Sequence, residues 1–135
     1  MFRSQIAKAY FNKINRNKNV EVESAGLIRG YLPLDKQQIG VAKKLGINLK
    51  GIPKGLSIDL IKKQNLIIIV ADDVSKSLFN CKEYIDFKTT KIIKWKIIDS
   101  FDGDNDFKVR EIIKRIMKKI DILVKQLEKL KWKQI

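Results

Sequence analysis

The sequence predicts an α/β domain with a parallel sheet, and three observations carry that reading. LIIIVA (66–71) is a continuous apolar run bounded by polar residues, the pattern of a strand buried on both faces. Helical and strand-like periodicities follow one another as helix, strand, helix, helix, strand, helix, strand, helix, and such alternation builds parallel sheets covered by helices. A final helix from Asp106 to about Leu130 carries Val109, Ile112, Ile113, Ile116, Ile120, Leu123, Val124, Leu127 and Leu130 on one stripe. That stripe is wide enough to cover a sheet rather than to form a narrow coiled-coil seam.

Each element has its local reason. SQIAKAYFNKI (4–14) places Ile6, Ala9, Tyr10 and Ile14 on one helical face, with Ser4 as the expected N-cap. NRNKN (15–19) is a polar turn. VEVES (20–24) alternates as a strand does and stops at Ala25-Gly26. DKQQIGVAKKL (35–45) reads as a second helix, and Gly46 suits its C-cap. LSIDLIKKQ (56–64) is a third, short helix with Ser57 as its cap. DVSKSLFN (73–80) is another short helix, KIIKWKI (91–97) a strand, and IDSFDGDND (98–106) an acidic loop. Asp104 or Asp106 is expected to cap the last helix, where negative charge suits the dipole. The DGDND run (102–106) is not an EF-hand loop, because Phe107 and Ile113 stand where glycine and glutamate are required.

Composition narrows the function. A chain of 135 residues with 44% hydrophobic residues is long enough for one domain with a real core, expected to span 1–135. There is no histidine, and Cys81 is the only cysteine, so histidine catalysis, an internal disulfide and a multi-cysteine metal centre are excluded within these residues. No metal and no cofactor are expected. No apolar run approaches the roughly 18 residues of a membrane span. The N-terminus is amphipathic rather than signal-like, so a cytoplasmic location and no membrane partner are expected. The formal charge of +14 comes mostly from lysines spread along the chain. Without an aromatic-interleaved cluster this reads as a solvated lysine-rich surface rather than a nucleic-acid footprint.

Five segments, in order and at matching spacing, resemble the low-molecular-weight protein-tyrosine phosphatases, which share their fold with the thioredoxin-coupled arsenate reductases. FRSQIAKAYFNK (2–13) resembles the end of that family's phosphate-binding loop and its first helix. VESAGL (22–27) resembles its strand-end segment. VAKKLGINLKGIPKGLS (41–57) resembles its helix, turn and following loop. LIIIVADDVSKSLF (66–79) resembles its third strand and the next helix, and WKIIDSFDGDNDF (95–107) its aspartate loop. The resemblance implies a flavodoxin-like open parallel sheet with helices on both faces, in which the first, central strand is missing from this chain.

It also implies a chemistry. The family motif is a cysteine, five residues, then Arg-Ser. The thiolate attacks phosphorus to give a phosphocysteine, and loop amides and a helix N-terminus hold the phosphate oxygens. The arginine fork binds two of those oxygens, and the serine hydroxyl lowers the thiol pKa. An aspartate protonates the leaving oxygen and then activates water. By this resemblance Arg3 is the loop arginine, Ser4 the loop serine and Asp99 the general acid. Leu27, Ile28 and Phe101 would flank the pocket and favour an aryl phosphate such as phosphotyrosine.

The sequence also departs from the pattern. The nucleophile is due six residues before Arg3, ahead of Met1, so the chain reads as N-terminally truncated within the phosphate loop and inactive as given. Gln5 replaces a frequent proline, as in the arsenate-reductase branch, and Ser100 stands where proline usually follows the acid. The reductases need several redox cysteines, and Cys81 is read as a passive small residue, so a phosphatase is preferred to a reductase. The alternatives are an arsenate-reductase-like protein, a non-catalytic truncated binding protein and a basic nucleic-acid binder. Oligomeric state is not legible.

Overall fold

A computed structural model describes residues 2–26, 35–49, 55–80, 82–83, 85–86, 88–100 and 103–129. The elements are α1 (Phe2–Ile14), α2 (Lys36–Lys44), α3 (Ile58–Lys62), β1 (Leu66–Val70), a 3₁₀ turn (Lys76–Phe79), β2 (Lys91–Trp95) and α4 (Asp106–Lys129). The expected contributions of Leu27, Ile28, Cys81, Phe101 and Leu130 fall outside the described residues.

β1 and β2 pair in parallel, with Leu66 opposite Lys91 and Val70 opposite Trp95. Side chains alternate across the sheet, and the two cores follow that alternation. Leu66, Ile68 and Val70 pack with Trp95 against α1, α2 and α4. Ile67 and Ile69 pack with Ile92, Ile61, Phe79 and Ile85 on the opposite face. The result is an α/β architecture with helical cover on both sides of a parallel sheet.

The expected α4 stripe is the spine of the larger core. Val109, Ile113 and Ile116 are wholly buried, and Ile112, Ile120, Leu123, Val124 and Leu127 nearly so. The cap, however, is Asn105: its Oδ1 accepts from the Lys108 amide at 2.9 Å. Asp106 supplies first-turn charge instead, and Asp104 pairs with Lys108 at 3.2 Å. α2 begins on Asp35, whose carboxylate accepts from the Gln37 amide at 3.0 Å. It ends in a Schellman motif, with Gly46 N–H bonded to Lys43 O and Ile47 N–H to Ala42 O. Gly46 adopts φ +81° there, a conformation that glycine takes at little cost.

Three expectations need correction. Ser4 is not a cap, because α1 already begins at Phe2. The buried face of that helix is Phe2, Arg3, Ile6, Ala7 and Phe11, while Ala9, Tyr10 and Ile14 pack only partly against the core. Among the described residues VEVES (20–24) joins no ladder, and the nearest sheet-like link is one parallel bridge from Gly26 to Gly55, closed by Leu56 N–H to Gly26 O at 2.9 Å. Between this segment and β1 lies an open groove of about 1050 Å³, lined also by α1 and the far half of α4.

Candidate functional site

Helix α1 starts at the carboxyl ends of the parallel strands, the usual place for ligands on open α/β sheets. Arg3, in its first turn, is 6% exposed. Its Nη1 donates to the Ile97 carbonyl at 2.6 Å and to Asp72 Oδ1 at 3.2 Å. Its Nη2 faces Asp73 Oδ1 at 3.2 Å and Asp99 Oδ2 at 3.4 Å. Asp72 and Asp73 lie just past the end of β1, and Ile97 and Asp99 just past the end of β2. One guanidinium thus ties together the ends of both strands and the start of α1.

The charges do not balance, since three carboxylates converge on one cation. The carboxylates keep contact with water: the Asp73 side chain is 68% exposed, that of Asp72 44% and that of Asp99 35%. A hydrogen bond from its own backbone N–H, helped by Arg3, holds the Asp73 carboxyl below the usual carboxylate range. Arg3 Nε is buried and has no hydrogen-bond partner among the described residues. A buried donor without an acceptor is costly and rare, and this one borders the groove.

The loop that carries Asp99 is tied down from α2. Gln38 Nε2 donates to Ser100 Oγ at 2.7 Å. Gln37 Nε2 donates to the Asp104 carbonyl at 2.8 Å and to Asp106 Oδ1 at 2.9 Å. Asp99 Oδ1 accepts from the Ser100 amide at 2.9 Å, which leaves Oδ2 turned toward Arg3. Ser100, standing where a proline was expected, is therefore held by a side-chain bond.

Of the residues singled out from sequence, Arg3 and Asp99 come together although 96 positions apart. Ser4 lies beside them, half-buried, on the rim of the groove. Phe101 lies outside the described residues. Sequence reading missed Asp72, Asp73 and the two glutamines. Paired aspartates immediately after a buried strand were the available signal, because that end of a parallel strand is where ligands bind. The described residues hold no group of three or more acidic, cysteine or histidine side chains arranged for a metal ion. None of their helices is long and apolar enough to cross a membrane.

A parallel α/β domain whose polar residues gather at the carboxyl ends of its strands, around the first turn of a helix, is a ligand-binding class of fold. Within that class the assignment is specific. A family model described as low molecular weight phosphotyrosine protein phosphatase matches residues 1–133, and the chain belongs to that family. Solved structures agree on the fold. A YwlE arginine phosphatase with a cysteine-to-serine substitution and a phosphorylated active-site serine is 20% identical, with a TM-score of 0.75, covering 94% of this chain and 89% of its own. Arsenate reductase from Archaeoglobus fulgidus is 22% identical, with a TM-score of 0.65 and 90% of both chains covered. Wzb from Vibrio vulnificus, in complex with benzylphosphonate, is 18% identical, with a TM-score of 0.70, covering 93% of this chain and 90% of its own. No curated protein sequence matches.

Proposed function

We propose that residues 1–135 form one phosphatase-like domain that hydrolyses phosphate monoesters, phosphotyrosine among them, through a cysteinyl-phosphate intermediate once a cysteine stands six residues before Arg3. Without that cysteine the chain does not turn over. The observation that carries this reading is the meeting of Arg3 and Asp99 at 3.4 Å. A phosphate dianion drawn to the Arg3 fork would replace carboxylates as its partner. The same dianion would disfavour ionisation of Asp99, and a general acid needs its proton. The thiolate attacks phosphorus, the P–O bond to the leaving group breaks, and Asp99 gives its proton to the departing oxygen. Asp99 then takes a proton from water, which attacks phosphorus and releases phosphate and the thiolate.

Membership of the phosphatase family supports the substrate class. The phosphorylated active-site serine of the YwlE relative supports a covalent phosphoenzyme. A reductase on this scaffold would need several thiols, and residues 1–135 contain one, Cys81. The reaction requires no cofactor or metal, and the setting proposed is cytoplasmic. The test is hydrolysis of an aryl phosphate by purified 1–135, which should show no turnover. Turnover that survives Cys81→Ser and is lost in Arg3→Ala would overturn the requirement for a further cysteine.

A further inference from the structure

We infer that Gln38 is a positioning residue for Asp99. It acts through Ser100, which fixes the Asp99 carboxylate so that Oδ2 is the oxygen turned toward the reacting group. This deepens the functional reading, and its catalytic half rests on that reading. The clasp itself stands on the geometry of α2 and the segment that leaves β2.

That segment has to present Asp99 at a fixed place before α4 begins at Asp106. A proline after the acid would fix its own φ and confine the residue before it. Ser100 does neither, so Asp99 is held in another way. Gln38 Nε2 donates to Ser100 Oγ at 2.7 Å, across 62 positions of sequence. Both residues are half-buried, where such a bond is less exposed to competition from water.

Serine also supplies what proline lacks. Its backbone N–H donates to Asp99 Oδ1 at 2.9 Å, and proline has no N–H to give. A carboxyl oxygen already accepting from a donor is a poor place for a proton, so a protonated Asp99 carries it on Oδ2. That is the atom 3.4 Å from Arg3 Nη2. Gln38 thus orients Ser100, Ser100 orients Asp99, and Asp99 faces Arg3.

The anchor is stiff. Asp35 caps α2 at its start, and a Schellman motif closes its end. Val41 and Ala42, three and four residues after Gln38, are its buried residues, which places Gln38 on the inner face of the helix. The preceding residue, Gln37, holds the same connection further along, at the Asp104 carbonyl and at Asp106 Oδ1. Such support matters because a displacement of about 1 Å at a reacting group can cost about 10²-fold in rate.

The first measurement needs no catalysis. In 1–135, NMR follows the Ser100 amide proton and the carboxyl carbons of Asp72, Asp73 and Asp99, which all face Arg3, as pH falls through the carboxylate range. The Ser100 amide should titrate together with the Asp99 carbon. Gln38→Leu, which keeps a good helix former, should abolish that coupling. Ser100→Ala, which removes Oγ and retains the N–H, should abolish it as well. An amide that ignores Asp99 in wild type, or follows it equally in both variants, overturns the clasp.

The second measurement uses the chain extended upstream, with cysteine six residues before Arg3. Gln38→Leu and Ser100→Ala should each lower kcat for an aryl phosphate by about tenfold or more with KM unchanged. The two together should cost no more than either alone, and Gln38→Leu should change nothing further in an Asp99→Asn background. Unchanged kcat, a rise in KM alone, or an equal loss in the Asp99→Asn background would make Gln38 a structural residue only and overturn its role. If the extended wild type shows no turnover, the phosphatase reading falls, and the amide titration in 1–135 still decides the clasp.

Discussion

Arg3 Nη1 donates to the Ile97 carbonyl at 2.6 Å, a bond that fixes the start of α1 to the segment leaving β2. The same guanidinium faces Asp72, Asp73 and Asp99. In this structure Arg3 is therefore a fastener as well as a candidate phosphate ligand. Arg3→Ala removes the cation that three carboxylates share and one of the two hydrogen bonds to the Ile97 carbonyl, which keeps the Asp72 N–H at 3.0 Å. Losing a hydrogen bond from a charged group costs about 1.5–3 kcal/mol, and the part-exposed carboxylates count for less. We expect a loss of about 2–3 kcal/mol in urea unfolding at pH 7.

Asp73 gives a pH dependence of definite sign. Its folded-state pKa is held below the ordinary carboxylate range, by its own backbone N–H first and by Arg3 as a smaller contribution. The stability this brings is present above the unfolded pKa of about 4 and is lost as pH falls through the lowered folded value. Asp73→Asn should therefore melt below wild type at pH 6 and converge with it in acid. Melting curves across that range check this, and a gap that widens in acid would contradict it.

Tyr10 links α1 to α4. Its hydroxyl donates to Asp121 Oδ1 at 2.7 Å, and that bond, with burial and the Asp121 charge, pushes its pKa up to about 12. The folded value is raised, so the contribution is complete below the unfolded pKa of about 10 and disappears as pH rises through 12. Tyr10→Phe should cost about 1 kcal/mol at neutral pH. Ultraviolet titration should also show a late-ionising phenolate in wild type that Tyr10→Phe lacks.

Gly46 closes α2 at φ +81°. An alanine there adopts a left-handed conformation at a cost of about 1–2 kcal/mol. Its Cβ would also stand 2.7 Å from Lys13 Nζ, which now donates to the Gly46 carbonyl. The flexible lysine can withdraw, so the expected loss is the backbone cost plus that exposed bond, read as a fall in the urea midpoint.

Much of this was legible in the sequence where the signal is local. The period of residues 106–127 marked α4 and its buried stripe. The apolar run 66–71 marked β1, and Ser57 marked the start of α3, where its Oγ accepts from the Leu60 amide at 3.1 Å. Non-local features were less legible. Alternation in VEVES gave those residues two faces but no neighbour, and a strand exists only where a partner edge is supplied. Ser4 resembled a cap because serine caps helices, yet packing of Phe2 extends α1 past it. Arg3 and Asp99 were paired through resemblance, since no periodicity links residues 96 positions apart. Asp72 and Asp73 were passed over, because only the fold brings Arg3 against them.

The central claim is that Arg3 and Asp99 work as a phosphate ligand and a general acid on one reacting group. Its most direct measurement is the pH–rate profile of aryl phosphate hydrolysis by the chain extended upstream, with cysteine six residues before Arg3, in wild-type, Arg3→Ala and Asp99→Asn forms. We predict that Arg3→Ala removes nearly all turnover. Asp99→Asn should slow phosphocysteine formation by about 10²–10⁴-fold and erase the alkaline limb of the profile. Turnover with an intact rate and an intact alkaline limb in Asp99→Asn would contradict the account.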